Sequence, residues 1–211
     1  MDEYTRPEFS RSALLTIDLQ QDFLDIPGTR AVLPAVRRLT RAFLDAGRPV
    51  VHAVRLYRPD GSNAERCRRA TIAAGSTMAA PGSAGSQLAD GLGGVLDHET
   101  LLAGEVQEFR PGEYAMYKPR WSAFFRTPLA EHLAPVTTVV VTGANYPNCP
   151  RSTLIEATEL DFRTVAVRDA ISGWADAADR ELAGLGIACL PEAEVLSGLA
   201  GVTACRGGTA H

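Results

Sequence analysis

Six short apolar runs, separated by stretches of helix length, limit what this chain can fold into. They are Leu14-Leu15-Thr16-Ile17, Val50–Val54, Ala115-Met116-Tyr117, Val139-Val140-Val141, Val165-Ala166-Val167 and Ile187-Ala188-Cys189-Leu190. Nearly continuous apolar strands suit a parallel sheet covered on both faces, and helices fit the intervals at about 32–46, 122–134, 150–160, 176–185 and 191–199. This alternation predicts an α/β fold with right-handed βαβ crossovers. With 211 residues, the chain reads as a single domain, 1–211, burying roughly 70% of its unfolded surface.

Two stretches break the pattern. Residues at about 58–112 form a long insertion rich in Gly, Ala and Ser, notably Ala79–Ser86. Loops of such length are usually functional or mobile, so it reads as a lid or partner surface, with a disordered linker as the rival reading. The tail after about 202 reads as frayed.

Composition excludes several classes. A net charge of −4 and the lack of any basic stripe beyond Arg66-Cys67-Arg68-Arg69 argue against nucleic acid. No apolar run approaches the ~20 residues of a membrane span, and Met1–Pro7 lacks the layout of a secretory signal, so the expectation is a cytoplasmic protein with no membrane partner. The four cysteines, at 67, 149, 189 and 205, form no C-x-x-C pair, which suggests neither a zinc site nor a disulfide framework. Cys67, Cys189 and Cys205 read as structural or incidental.

Cys149 is different. Val139–Gly143 reads as a buried strand that stops at glycine, and Pro150 suits the first position of a helix, which places Cys149 at its N-cap. Unpaired N–H groups and the helix dipole there favour a thiolate. In an open α/β sheet, ligands bind beyond the carboxyl ends of the strands. Asp18 ends the first apolar run and Lys118 the third, so an acid, a base and a thiol converge on one edge. Singly, each has a bland reading: a turn residue, a solvated strand end and a core cysteine.

The runs Ala13–Phe23, Tyr117–Phe124, and Thr142-Gly143 with Cys149 and Arg151-Ser152-Thr153 resemble the isochorismatase-like cysteine hydrolase superfamily over residues 11 to 198. The resemblance implies a Rossmann-like, doubly wound, six-stranded parallel sheet of order 3-2-1-4-5-6 and a homo-oligomer, dimer or tetramer. It is closest to the amidase branch, which includes N-carbamoylsarcosine amidase and streptothricin hydrolase and uses an Asp-Lys-Cys triad. The matching residues are Asp18, Lys118 and Cys149. It further implies a cis peptide at Ala144–Asn145 and an oxyanion hole formed by the backbone N–H groups of Asn145 and Cys149.

Nicotinamidases carry an Asp-x-His metal motif after the second strand. The matching stretch here, His52–Asn63, lacks that spacing, so no metal and no cofactor are expected. Isochorismatases proper lack the nucleophilic cysteine, and Cys149 therefore favours C–N cleavage. Substrate-binding candidates are Phe23 and Trp121 beside the Asp and Lys, Arg55 and Tyr57 at the end of the second strand, and Tyr146 in the loop before the cysteine. His52 reads as a satisfied core histidine and Trp174 as a packing residue, while His98 and His132 have no partner spacing. The expected activity is metal-independent hydrolysis of a small amide, ureide, cyclic imide or lactam through a thioester. Vinyl-ether hydrolysis of the isochorismatase type and a catalytically silent member of the fold are the alternatives. No G-x-G-x-x-G follows the first strand, which disfavours dinucleotide binding.

Overall fold

The computed structural model describes residues 1–207. Seven strands form one sheet: β1 (Ser12–Ile17), β2 (Val50–Val54), β3 (Val106–Arg110), β4 (Glu113–Tyr117), β5 (Thr138–Gly143), β6 (Arg163–Ile171) and β7 (Ala188–Leu190), in the order β3-β4-β2-β1-β5-β6-β7. Every neighbouring pair is parallel except β3 with β4. The six parallel strands keep the order expected of them.

β3 is the addition, a strand folded back onto the edge through the turn at Pro111-Gly112. Val106-Gln107-Glu108-Phe109-Arg110 is half-exposed, so its sequence carries no continuous apolar run. Its charged residues suit an edge strand that must not pair with other chains.

β1, β2 and β5 are buried throughout, and alternate side chains serve two cores. Leu14 and Val140 face the layer made by α1 (Thr29–Asp45) and α7 (Glu192–Gly207), with Val36, Leu39, Phe43, Val195 and Leu199. Leu15, Val139 and Val141 face Leu154, Ala157, Ala178 and Leu182, which belong to α5 (Cys149–Glu159) and α6 (Asp176–Ala183). Arg38 and Glu192 bind each other bidentately at 2.7 and 2.6 Å and tie α1 to α7. The stretch expected to fray thus begins inside α7, and residues 208–211 lie outside the described part.

The insertion is ordered. It contains α2 (Arg66–Ala73), a 3-10 turn at Ala84–Ser86 and α3 (His98–Leu102), capped by the Asp97 carboxylate. Asp22 accepts from Ala79 N–H at 2.6 Å and Gln20 donates to Ser86 O at 2.6 Å, so the turn after β1 pins it down. His98 takes part: its Nδ1 accepts from Gly82 N–H at 2.9 Å, and its Nε2 lies 3.0 Å from Ser86 Oγ.

The helix expected at 122–134 shrinks to α4 (Leu129–His132). Side chains bind the start of that segment instead: Thr153 Oγ1 accepts from Ala123 N–H and Ser122 Oγ from Phe124 N–H. No helix among the described residues is long and apolar enough to cross a membrane.

Candidate active site

β1, β4 and β5 deliver the three singled-out side chains to one edge of the sheet. Asp18 follows β1 with φ 52, a left-handed conformation uncommon for a residue with a Cβ. Its N–H is held by Ala53 O at 3.0 Å, and that of Lys118 by Val54 O at 3.0 Å, so β2 positions both. Gly143 closes the arrangement. Its φ is +118, and a Cβ there would lie 2.2 Å from Ile17 O, so only glycine lets the chain after β5 pass so close to Asp18.

The ammonium and carboxylate meet. Lys118 Nζ lies 2.9 Å from Asp18 Oδ2, and both side chains are buried. Lys118 also donates to Arg120 O at 3.3 Å. Asp18 Oδ1 has no hydrogen-bond partner; Asp18 lines the same cleft as Cys149, and its charge raises the pKa of that thiol.

The thiol itself departs from expectation. Asn148 is the N-cap and Cys149 the first helical residue. Instead of a thiolate, the site holds a thiol whose pKa is pushed up to about 12, chiefly by burial and then by the Asp18 charge. Lys118 and, more weakly, Arg55 oppose this. The desolvation of a buried sulfur and an adjacent carboxylate outweigh the helix terminus.

The cis peptide is also displaced from where the resemblance put it: it joins Tyr146 to Pro147, and Ala144–Asn145 is not cis. Around that turn most N–H groups are spent: Ala144 on Ile17 O, Tyr146 on Ser172 O and Asn148 on Asn145 O. Among the described residues, those of Asn145 and Cys149 have no hydrogen-bond acceptor. Thr153 Oγ1 donates to Cys149 O at 2.8 Å and fixes the first turn of α5.

A narrow cleft opens over Cys149, lined by Asp18, Phe23, Arg55, Tyr57, Trp121 and Asn145, and also by Ile26, Arg68, Ala144 and Asn148. Its free volume is about 20 Å³, room for roughly one water-sized group. On the far side of Trp121, an open groove of about 540 Å³ runs past Phe125, Cys67 and Glu156.

Phe23 and Tyr57 serve twice. They face the cleft and, with Ala64, Ile72 and Ala79, form a small apolar cluster beneath the insertion. Arg55 lines the cleft with its donors already taken. Its Nη1 donates to Lys118 O at 2.8 Å and Arg120 O at 3.1 Å, its Nη2 to Tyr57 Oη at 3.1 Å, and it pairs with buried Glu65. The Tyr57 hydroxyl donates to Glu65 Oε2 at 3.2 Å, and burial pushes its pKa up to about 12.

Tyr146 does not line the cleft. Its ring packs 5.0 Å from that of Trp174, and its hydroxyl donates to Glu181. His52 is buried between Thr16 Oγ1 at 2.7 Å and Glu113 Oε1 at 3.1 Å. His132 packs edge-on to Tyr114. Cys67 is exposed and Cys189 partly buried, while the side chain of Cys205 lies outside the described part. Among the described residues, no group of three or more His, Cys, Asp or Glu side chains is placed to hold a metal ion.

Glu65 and Arg68 were missed by sequence reading. Both sit on or beside α2, a short polar helix with little apolar periodicity, and only the Arg-rich run 66–69 marked the place.

A model of the isochorismatase domain matches residues 12–188. The chain belongs to the isochorismatase family. Within the family it is 32% identical over 167 residues to a probable inactive nicotinamidase of Arabidopsis thaliana, covering 74% of this chain and 77% of that one. It is 28% identical over 171 residues to maleamate amidohydrolase of Pseudomonas putida, with 76% and 72% covered. The crystal structure of an isochorismatase family protein from Desulfovibrio vulgaris has a TM-score of 0.73 and 30% identity, covering 92% of this chain and 98% of that one. The family and fold expected from the motifs are therefore shown.

Proposed function

We propose that this protein is a metal-independent cysteine hydrolase that cleaves a C–N bond, other than a peptide bond, in a small amide, ureide, imide or lactam. One observation carries the reading: the Asp18 carboxylate, paired with the Lys118 ammonium at 2.9 Å, lines the same cleft as the Cys149 thiol. A relative that is a maleamate amidohydrolase supports the same bond class.

In this reading Asp18 removes the Cys149 proton as Sγ attacks the carbonyl carbon. Because the resting sulfur is a thiol, attack depends on that transfer, which also lifts the charge that opposed the thiolate. The carbonyl oxygen takes the negative charge and is met by the free N–H groups of Asn145 and Cys149, each such donor being worth about 2.7–4 kcal/mol in a transition state. The protonated Asp18 then gives its proton to the nitrogen. The C–N bond breaks, and ammonia or an amine departs from a thioester on Cys149. Water, deprotonated by Asp18, attacks the thioester carbon; the carboxylate product leaves and the thiol regains its proton. Lys118 keeps Asp18 oriented throughout.

The test is a panel of amides, ureides, imides and lactams assayed for ammonia or amine release, with intact mass spectrometry to trap an acyl group on Cys149. Cys149→Ala is expected to abolish both signals. Turnover by that variant would instead indicate ether hydrolysis without a nucleophilic sulfur. A panel with no turnover at all would favour a silent member of the fold.

A further inference from the structure

We propose that Glu181 is a positioning residue: from outside the cleft, its carboxylate holds the backbone on both sides of Cys149 and so fixes the two N–H groups that meet the carbonyl oxygen. The inference rests on the cysteine-hydrolase reading and adds to it a residue of α6. Asn145 and Cys149 stand at the two ends of one short turn, and among the described residues their N–H groups have no acceptor. Such donors act only if they are held in advance where the oxyanion forms. The turn closes on itself through Asn148 N–H to Asn145 O at 3.0 Å, but that bond does not fix its place against the sheet. Its attachment must come from other segments.

Tyr146 is the link. Its N–H donates to Ser172 O at 2.7 Å, just past β6, and its hydroxyl donates to Glu181 Oε2 at 3.1 Å. From the other side of Cys149, in the first turn of α5, Arg151 Nε donates to Glu181 Oε1 at 2.8 Å. One carboxylate therefore grips residue 146 before the sulfur and residue 151 after it. The Tyr146 side chain is buried in the same core as Cys149, Ala178 and Leu182. Its ring rests on Trp174, whose indole N–H donates to Asp179 Oδ2 at 3.1 Å, so α6 supplies the anchors for both the ring and the hydroxyl. Hydrogen bonding from Arg151 holds the Glu181 carboxyl below its ordinary range, and a bond to a carboxylate is stronger than one between neutral groups. The Arg151–Glu181 pair is itself more than a third exposed, and exposed pairs add little to stability. A role in holding the turn is thus separable from a role in folding.

The experiment takes the panel compound that the wild type turns over fastest and measures kcat, KM and the hydrogen exchange of segment 144–152 on one set of variants. Glu181→Ala is expected to lower kcat and kcat/KM together by roughly 10- to 100-fold, since a misplacement of about 1 Å costs up to about 100-fold. KM should stay near wild type, because the lost alignment matters only in the transition state. Exchange at Tyr146 and Asn148 should quicken in the same variant. Tyr146→Phe keeps the ring on Trp174 and loses only the hydroxyl, so it should show both effects more weakly. Glu181→Gln keeps an oxygen for that hydroxyl and should recover most of kcat. Arg38→Ala breaks the pair between α1 and α7 and controls for destabilisation alone, with kcat and the exchange of 144–152 expected unchanged. Wild-type kcat in Glu181→Ala, a change in KM alone, unaltered exchange, or an equal loss of kcat in Arg38→Ala would overturn the clamp. With Cys149→Ala inactive, the hydrolase reading would then still stand. A wild type that turns over nothing in the panel, or a Cys149→Ala variant as active as the wild type, removes the hydrolase reading and the clamp with it.

Discussion

At the scale of single residues, the sulfur is the unusual group. A cysteine opening a helix next to a lysine would ordinarily ionise near neutrality. Here burial and the Asp18 charge push the thiol up to about 12. Two opposite consequences of one substitution follow. Asp18→Asn removes the charge that raises the thiol while Lys118, which lowers it, stays. The Cys149 titration should therefore move down, seen as thiolate absorbance appearing at lower pH. Turnover should nevertheless fall by roughly 10²–10⁴-fold, because the proposed general base is gone. A variant with both a higher thiol pKa and normal turnover would contradict the role given to Asp18. Asp18, Lys118 and Cys149 were legible in the sequence because each directly follows, or lies one short loop beyond, an apolar strand. The protonation state of Cys149 was not, because it depends on how deeply other segments bury it.

Among the elements, α2 and the end of β2 depend on each other. Arg55 leaves β2 and grips Glu65, the N-cap residue of α2, together with the carbonyls of Lys118 and Arg120. Glu65→Ala would leave Arg55 buried without its counter-charge. Removing one partner of a buried pair costs about 3–5 kcal/mol. That loss should appear in urea denaturation, with faster amide exchange concentrated in residues 62–73. A loss under 1 kcal/mol would mean that the pair is only a surface contact. Arg55 was expected from the sequence to bind substrate, since a strand-end arginine beside a cleft gives no sign that its donors are already used. That information lies in Glu65, ten residues on, inside a stretch whose composition suggested loop. β3 escaped notice for a related reason, since a half-exposed edge strand lacks the apolar run that marked the other six.

For the molecule as a whole, the sheet brings distant segments together, and β1 and β5 approach closely at Gly143. Gly143→Ala would force a Cβ to within 2.2 Å of Ile17 O at a φ of +118. The atoms it would meet, Ile17 O, N and C, are all backbone and cannot yield. The variant should fail to give soluble, cooperatively unfolding protein, whereas Gly201→Ala, where a Cβ meets nothing within 4 Å, should behave as wild type. Normal solubility and melting of the first variant would mean that β1 and β5 are less tightly apposed than described. The apolar runs announce the six parallel strands, and the family resemblance implies their order. The cleft follows from neither, since its walls come from β1, β2, α2 and the loops after β4 and β5. Its free volume is about 20 Å³, set by side chains from all of these segments.

A sulfur stored with its proton in a nearly closed cleft is a poor target for peroxide and for stray electrophiles, which attack the ionised form. Chemical vulnerability would then arise only in the moments when a fitting molecule parts the walls. In the proposed reaction, the sulfur would turn reactive only once a carbonyl is seated beside it.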